Sequence, residues 1–309
     1  MRRVLVAGVA AVFTVGLAAP ASASWSVLPT LSRNLVAYYD FEHPVRGNEA
    51  LEQDRGRSGT ALSLVNGGAD MRVRDGAFRG SRNSVQLRQI SPAAAGNDDW
   101  KAGLYGESGV PSLRAFNGAR EASIMGWVKM TGQNPALNSN TAAPDDLYGA
   151  IGLAGVLSGD STGHAVRALL ELIGVDGELK LVALARRLDG GESQTFAALE
   201  DWRTLLPPDE WVFLAATFDF DTGEMALYRN GKPVAGRYVA AGDPWRLEGE
   251  PEPDLTSATD PRGIKIGGSY PQNSREGNAC NCRMDSLMFL DRAVRPWEVA
   301  LQHHWMRRG

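Results

Sequence analysis
From Trp211 to Val234 the chain alternates two sets of positions with a period of two. Val212, Leu214, Ala216 and Phe218 form one set; Phe213, Ala215, Thr217 and Asp219 form the other. Successive side chains of a strand point to opposite faces, so the pattern predicts a strand. The absence of charge before Asp219 predicts cover on both of its faces. Asp221 to Gly223 breaks the run, and Met225, Leu227 and Tyr228 resume it. Asn230-Gly231 then supplies the positive φ angles of a type I′ hairpin turn, and a third strand begins. Consecutive antiparallel strands of this kind build an all-β sandwich.

The same reading predicts strands over 35–42, 61–65, 71–73, 84–87, 122–130, 151–157, 166–175, 179–188, 264–270 and 283–290. Residues 165–173 also suit a helix, since Ala and Leu favour one. Residues 46–59 read as a polar loop. The Gly- and Pro-bearing stretches 91–117, 131–149 and 240–262 read as long inserted loops, and 195–206 as a connecting segment. Pro296 suits the first turn of a short closing helix over 297–306. No repeat and no linker divides the chain, which predicts one domain over 24–309.

The N-terminus changes the picture of where the protein works. Arg2 and Arg3 precede an apolar run over 4–17, and Ala21-Ser22-Ala23 forms a small-residue cleavage signal. Residues 1–23 are therefore expected to be a signal peptide cleaved after Ala23, giving a secreted, extracellular chain of 309 − 23 = 286 residues. No later apolar run reaches a membrane-spanning length. Losing Arg2 and Arg3 moves the formal charge from −4 to −6, and the basic residues are scattered, which argues against nucleic acid as a partner. The two cysteines, Cys280 and Cys282, flank Asn281. Export favours a disulfide, which needs a turn at Asn281 because i and i+2 in a straight strand lie near the upper limit for a bridge. Free thiols, an intermolecular bond and a Cys-x-Cys metal pair are the alternatives, the last short of ligands.

Several segments together resemble the laminin G-like family of the concanavalin A-like jelly roll, in particular its bacterial secreted branch. The opening strand (LVAYYDFE, 35–42), the loop with Asp54 and Ser58-Gly59, and Leu64 to Gly67 match in order. So do the middle strand 122–129 (ASIMGWVK) and the hairpin residues Trp211, Ala215, Thr217, Phe218, Asp219, Gly223, Leu227, Tyr228, Asn230, Gly231 and Val234. The ending, Met284-Asp285 through Arg292-Ala293, matches too. The resemblance spans residues 35–304. It implies an antiparallel two-sheet jelly-roll sandwich with a short C-terminal helix. It also implies a structural Ca²⁺ at the sheet rim, with Asp54 and Asp285 in acidic positions of the motif; the first and last strands should be neighbours, so that Asp40 can join them. Pairing of Asp285 with Arg283 or Arg57 is the competing account. The long loops and the Cys-Asn-Cys segment depart from the pattern.

Catalysis finds little support. Some relatives carry paired carboxylates on one strand. Here Asp219, Asp221 and Glu224 straddle a Gly turn, and Pro251 and Pro253 separate Glu250, Glu252 and Asp254, which excludes a central strand. His43 and His164 lie in no lyase-like strand motif, and His303 and His304 are helix neighbours whose rings point apart. Sugars are bound by flat aromatic rings beside polar groups, and the loop aromatics are Trp100, Tyr105, Tyr148, Trp202, Trp245 and Tyr270. The expectation is a secreted, non-catalytic binding module for a polysaccharide or an extracellular protein. A glycanase or lyase of the same fold and a cell-envelope interaction component are the alternatives.

Overall fold
The computed structural model describes residues 26–91, 98–137, 139, 150–158, 166–188, 192–240, 245, 259–268 and 279–308. In chain order the strands are β1 (Leu35–Tyr39), β2 (Pro44–Val45), β3 (Asn48–Glu52), β4 (Leu62–Val65), β5 (Arg72–Val73), β6 (Ser84–Leu87), β7 (Lys101–Tyr105), β8 (Glu121–Met130), β9 (Ile151–Leu157), β10 (Val166–Val175), β11 (Glu178–Arg186), β12 (Ser193–Ala198), β13 (Val212–Asp219), β14 (Met225–Arg229), β15 (Lys232–Val234), β16 (Gly236–Tyr238), β17 (Gly263–Ile266) and β18 (Cys282–Leu290). The α-helices are α1 (Trp202–Leu205) and α2 (Pro296–Arg308).

Two antiparallel sheets face each other. The first runs β15-β14-β13-β8-β18-β6-β5, and the second β16-β12-β11-β10-β9-β17-β7-β4-β3-β2. Within the first, β18 pairs with β8 along one side. Its other side pairs with β6 over Cys282–Met284 and with β1 over Leu287–Leu290. First and last strands are thus neighbours, as the sequence implied. Between β6 and β1 the ladder breaks at Asp285-Ser286, where Ser286 takes a φ of 53°.

The core lies between the sheets. Ile124, Leu214, Phe218, Leu227 and Phe289 meet Leu153, Val156, Leu170, Leu181 and Ile264. Each contributes roughly 1.5–3 kcal/mol by leaving water. A second apolar layer covers the outer side of the first sheet. There Trp127, Phe213, Tyr228 and Met288 pack under Val299 and Met306 of α2 and under Val27, Leu28 and Leu31. This explains why β13 is uncharged on both faces from Val212 to Phe218. The Asn230-Gly231 turn has φ of 50° and 78°. A Cβ at Gly231 would lie 2.9 Å from the Ala300 Cα, so α2 can close over the hairpin only with glycine there.

Some predicted elements differ. Residues 166–175 are a strand, because pairing on both sides outweighs helix propensity. The expected loop 91–117 contains β7 and a 3₁₀ turn at Pro111–Phe116. Only Ala102 and Leu104 of β7 point into the core, too short a pattern to announce a strand. The connecting segment contains β12 and α1, and the polar loop contains β3, half exposed and therefore polar. Cys280 and Cys282 are bonded to each other with Cα atoms 5.3 Å apart. Asn281 between them is tied down on every side. Its N–H donates to Asn134 Oδ1 (2.9 Å), its carbonyl accepts from Thr131 N (3.0 Å), and its side chain bridges Gln89 N and Gln133 O.

Candidate functional site
A cleft of about 740 Å³ lies between the β13–β14 turn and the start of α2. That volume is within the range of small-ligand sites. Asp219 and Glu224 come from the turn, Glu121 from the start of β8, Tyr238 from β16, and Arg292 to Glu298 from the segment after β18. Trp297 and Tyr238 are 52% and 39% exposed, so both rings are open to a ligand.

The walls are fixed by hydrogen bonds. Glu298 Oε1 and Oε2 accept from Arg292 Nη2 (2.7 Å) and Nη1 (2.8 Å) in a two-pronged pair. Glu298 also accepts from Arg295 N (3.2 Å) and Thr30 Oγ1 (3.2 Å). The Arg292 guanidinium holds its carboxyl below the usual range. Glu121 Oε2 accepts from Ala293 N at 3.0 Å, and Ser123 Oγ joins Arg292 O to Val294 N. Asp219 Oδ1 accepts from Asp221 N and Thr222 N, closing the turn over itself. Tyr238 accepts from Met225 N at 2.9 Å and packs edge-on against Phe196. Burial raises the Tyr228 hydroxyl above its ordinary pKa, against a hydrogen bond with Thr217. The result is a rigid polar trough with two exposed aromatic rings, carboxylates, and the exposed Arg295.

Among the described residues, none of the aromatics singled out from the sequence lines this cleft. Trp245 is a core residue, 1% exposed, edge-on to Phe220 with the Arg167 guanidinium over Phe220. Trp202 opens α1 and is buried against the core. It borders a mostly apolar groove of about 470 Å³ with Pro135, Leu137 and Pro208, and its indole N–H has no acceptor among the described residues. Trp100 is half-buried, lying against Gly67 with the Arg88 guanidinium 5.1 Å from its ring. Tyr105 is half-buried against Leu157 and Leu169, its hydroxyl 3.5 Å from Arg262 Nη1. Tyr148 and Tyr270 lie outside the described residues, as do His164, Glu250, Glu252 and Asp254.

The three aspartates expected around calcium do not form one oxygen cage. Asp54 is spent on its own loop, accepting from Tyr38 N, Gly56 N and Ser58 Oγ. Asp285 is fully buried at the break between β6 and β1, where Ala77 N (2.9 Å) and Ser286 Oγ (2.9 Å) donate to it. It pairs with neither Arg283, which binds Asp75, nor Arg57, which binds Asp291. Burial pushes the Asp285 carboxyl up to about 7. Asp40 instead joins His43 and Glu52, the one trio of potential ligands grouped this closely among the described residues. His43 Nδ1 lies 2.8 Å from Asp40 Oδ1, and Arg72 neutralises Glu52 from 2.6 Å. Calcium takes oxygen ligands and needs uncompensated carboxylate charge. A trio that contains an imidazole and a guanidinium-paired glutamate does not fit it. Melting curves in calcium and in a chelator test the calcium expectation: a fall of several degrees in chelator supports it, and an unchanged curve overturns it.

No family model matches the chain, and no curated protein matches it. Solved structures do. The binding domain of Paraclostridial Mosquitocidal Protein 1 is 15% identical with a TM-score of 0.53 over 88% of this chain. The binding domain of botulinum neurotoxin DC in complex with rat synaptotagmin II is 11% identical with a TM-score of 0.54 over 89%. A Trypanosoma rangeli sialidase bound to 2,3-difluorosialic acid is 12% identical with a TM-score of 0.51 over 89%. The chain spans 52% of each toxin binding domain and 33% of the sialidase chain. At these identities the likeness is one of fold, a β-sandwich that elsewhere serves in binding domains.

Proposed function
We propose that this protein is an exported, non-catalytic binding module whose ligand is a glycan held in the cleft beside α2. The observation that carries the reading is the pairing of two exposed rings, Trp297 and Tyr238, with Glu121, Asp219, Glu224 and Arg295 around one trough. A sugar presents apolar C–H faces and a rim of hydroxyls, and this arrangement offers a stacking surface and hydrogen-bonding groups for both. The signal-peptide pattern at residues 1–23 supports an extracellular place of work. The structural neighbours include binding domains, which fits the reading without specifying the sugar.

A glycan array followed by calorimetry tests this. Trp297→Ala and Tyr238→Ala should each weaken binding of the best oligosaccharide by roughly tenfold, the equivalent of about 1.4 kcal/mol. Failure of every glycan on the array, or binding indifferent to both substitutions, would overturn it. Because Asp219 and Glu224 share the trough, a glycanase is the second reading. Turnover of a polysaccharide that disappears in Glu224→Gln would favour it.

A further inference from the structure
Arg79, Trp211, Asn230 and Arg307 are far apart in the chain, and the fold gathers them around one recess of about 350 Å³ on the outer side of the first sheet. None of its lining residues belongs to the trough at the start of α2. Buried Trp127 lines it too, with the Phe78 ring stacked at 6.2 Å and the His303 ring at 5.5 Å. Arg307 stands one helical turn beyond His303 on α2.

The walls are set before any ligand arrives. The turn that carries Phe78 and Arg79 is tied down: Ala77 N donates to Asp285 Oδ2 (2.9 Å) and Ser81 N to Phe78 O (2.9 Å). A Cβ at Gly76 would lie 2.2 Å from the Ser81 carbonyl oxygen, so the turn closes this tightly only with glycine there. Trp211 is held by its indole N–H, 3.4 Å from Asp75 Oδ1, with Lys129 Nζ 5.3 Å from its ring. Asn230 Oδ1 accepts from Phe213 N at 2.9 Å, which leaves its amide N–H groups without an acceptor among the described residues.

The charge of the recess is uncompensated. Arg79 and Arg307 are exposed, and neither makes a hydrogen bond or an ion pair among the described residues. By contrast, Arg283 pairs with Asp75, Arg292 with Glu298 and Arg72 with Glu52. Glu210 is the one carboxylate among the described lining residues, and Arg229 Nη2 lies 3.9 Å from it. Two unpaired guanidiniums at one recess repel each other until an anion joins them. Their planar forks fit a carboxylate or a sulfate group. Around that point the half-buried rings of Phe78 and Trp211 offer apolar surface, while Asn230 and Glu210 offer a donor and an acceptor for hydroxyls. A simple inorganic anion would use the arginines alone. A sugar ring that carries an acid group uses all of them.

We propose that this recess is a second binding site, which takes the acid group of an anionic polysaccharide, a uronate carboxylate or a sulfate ester. Arg79 and Arg307 clamp the acid group, and the sugar ring rests between Phe78 and Trp211 with its hydroxyls on Asn230 and Glu210. The proposal does not depend on the trough, because the two sites share no residue.

Calorimetric titration tests it with two acidic oligosaccharides and their uncharged counterparts. These are oligogalacturonate with its methyl ester, and a sulfated galactan oligosaccharide with its desulfated form. The expected result is binding of at least one acidic oligosaccharide, weakened by salt and lost in its uncharged counterpart; the two arms tell carboxylate from sulfate. Arg79→Gln/Arg307→Gln should weaken that binding by about tenfold or more, as loss of charge-assisted hydrogen bonds does. Arg33→Gln/Arg46→Gln removes the same charge from exposed positions that do not line the recess, and should leave binding unchanged. Trp297→Ala, which tests the trough, should leave it unchanged too. Melting curves equal to the parent's verify that these exposed substitutions do not unfold the chain. Failure of both acidic oligosaccharides to bind overturns the proposal. So does equal binding of the uncharged counterpart, or an equal loss in the two pairs of arginine substitutions.

Discussion

Glu298→Ala is expected to lower the melting temperature by roughly 10 °C. Glu298 is 4% exposed, yet it carries a charge that four donors satisfy: two nitrogens of Arg292, the backbone N–H of Arg295 and the Thr30 hydroxyl. Removing the carboxylate leaves Arg292, 21% exposed, partly desolvated and uncompensated, which costs about 3 kcal/mol, the lower end for breaking a buried pair. In a chain of this size each kcal/mol moves the midpoint by about 2–4 °C. The substitution also removes the contact that ties the start of α2 to the end of β18 and to the N-terminal segment, so the trough should lose its ligand. Glu298→Gln, which keeps an acceptor for Arg295 N, should cost less. Arg292→Ala combined with Glu298→Ala should cost much less than the sum of the two single changes. A fall of under 2 °C, measured by circular dichroism, would contradict this account of α2.

Stability is expected to decline as pH rises from 5 to 8, against the usual behaviour of a protein rich in ion pairs. Asp285 sits near 7 in the folded chain because of burial, against 3.8 when free in solution. Between those values the folded state holds the proton more tightly than the unfolded state. Each step upward in pH therefore removes stability, on the order of 4 kcal/mol across the interval. Burial raises Asp54 and Glu52 as well, a shift of the same sign. His43 is raised chiefly by its hydrogen bond to Asp40, and its contribution, complete below about 6.5, is also lost as pH rises. His303 is lowered by burial and opposes the trend. Glu298, lowered by Arg292, acts only where carboxylates protonate, below pH 5. Asp285→Asn keeps an acceptor for Ala77 N, removes the titrating group, and should raise the midpoint at pH 8 while flattening the pH profile. An unchanged slope in Asp285→Asn would show that another group sets it.

The sandwich was legible in the chain because its central strands are long and periodic. The Asn230-Gly231 turn, the doubly covered β13 and the ending at Arg292-Ala293 all stand where the pattern placed them. β7 and β3 escaped because short or half-exposed strands carry few apolar positions, and partners distant in sequence define them. The site was harder to see. Trp202 and Trp245 sit in segments that look like loops, and such segments fold their rings inward when the sheets have room for them. Trp297 looked like part of a capping helix. Its exposure follows only from setting it on a wheel with Glu298, Val299, Gln302 and Met306 opposite. That comparison was available in the sequence, since a buried face with two polar residues leaves its apolar neighbours on the other side. Asp40, Asp54 and Asp285 lie apart for a different reason. Strand adjacency predicts which backbones meet, and it says nothing about which donors claim a carboxylate first.

The position of β18 has a consequence for how the protein is made. The last strand to be synthesised lies in the interior of its sheet, with β8 on one side and β6 and β1 on the other. Until Cys282 to Leu290 arrive, those three earlier strands have open edges and cannot complete their ladders. The first sheet therefore closes only after β18 has been made, although the second sheet pairs without it. The cost is a window of exposed strand edges after release, which a truncation before Cys282 would make permanent.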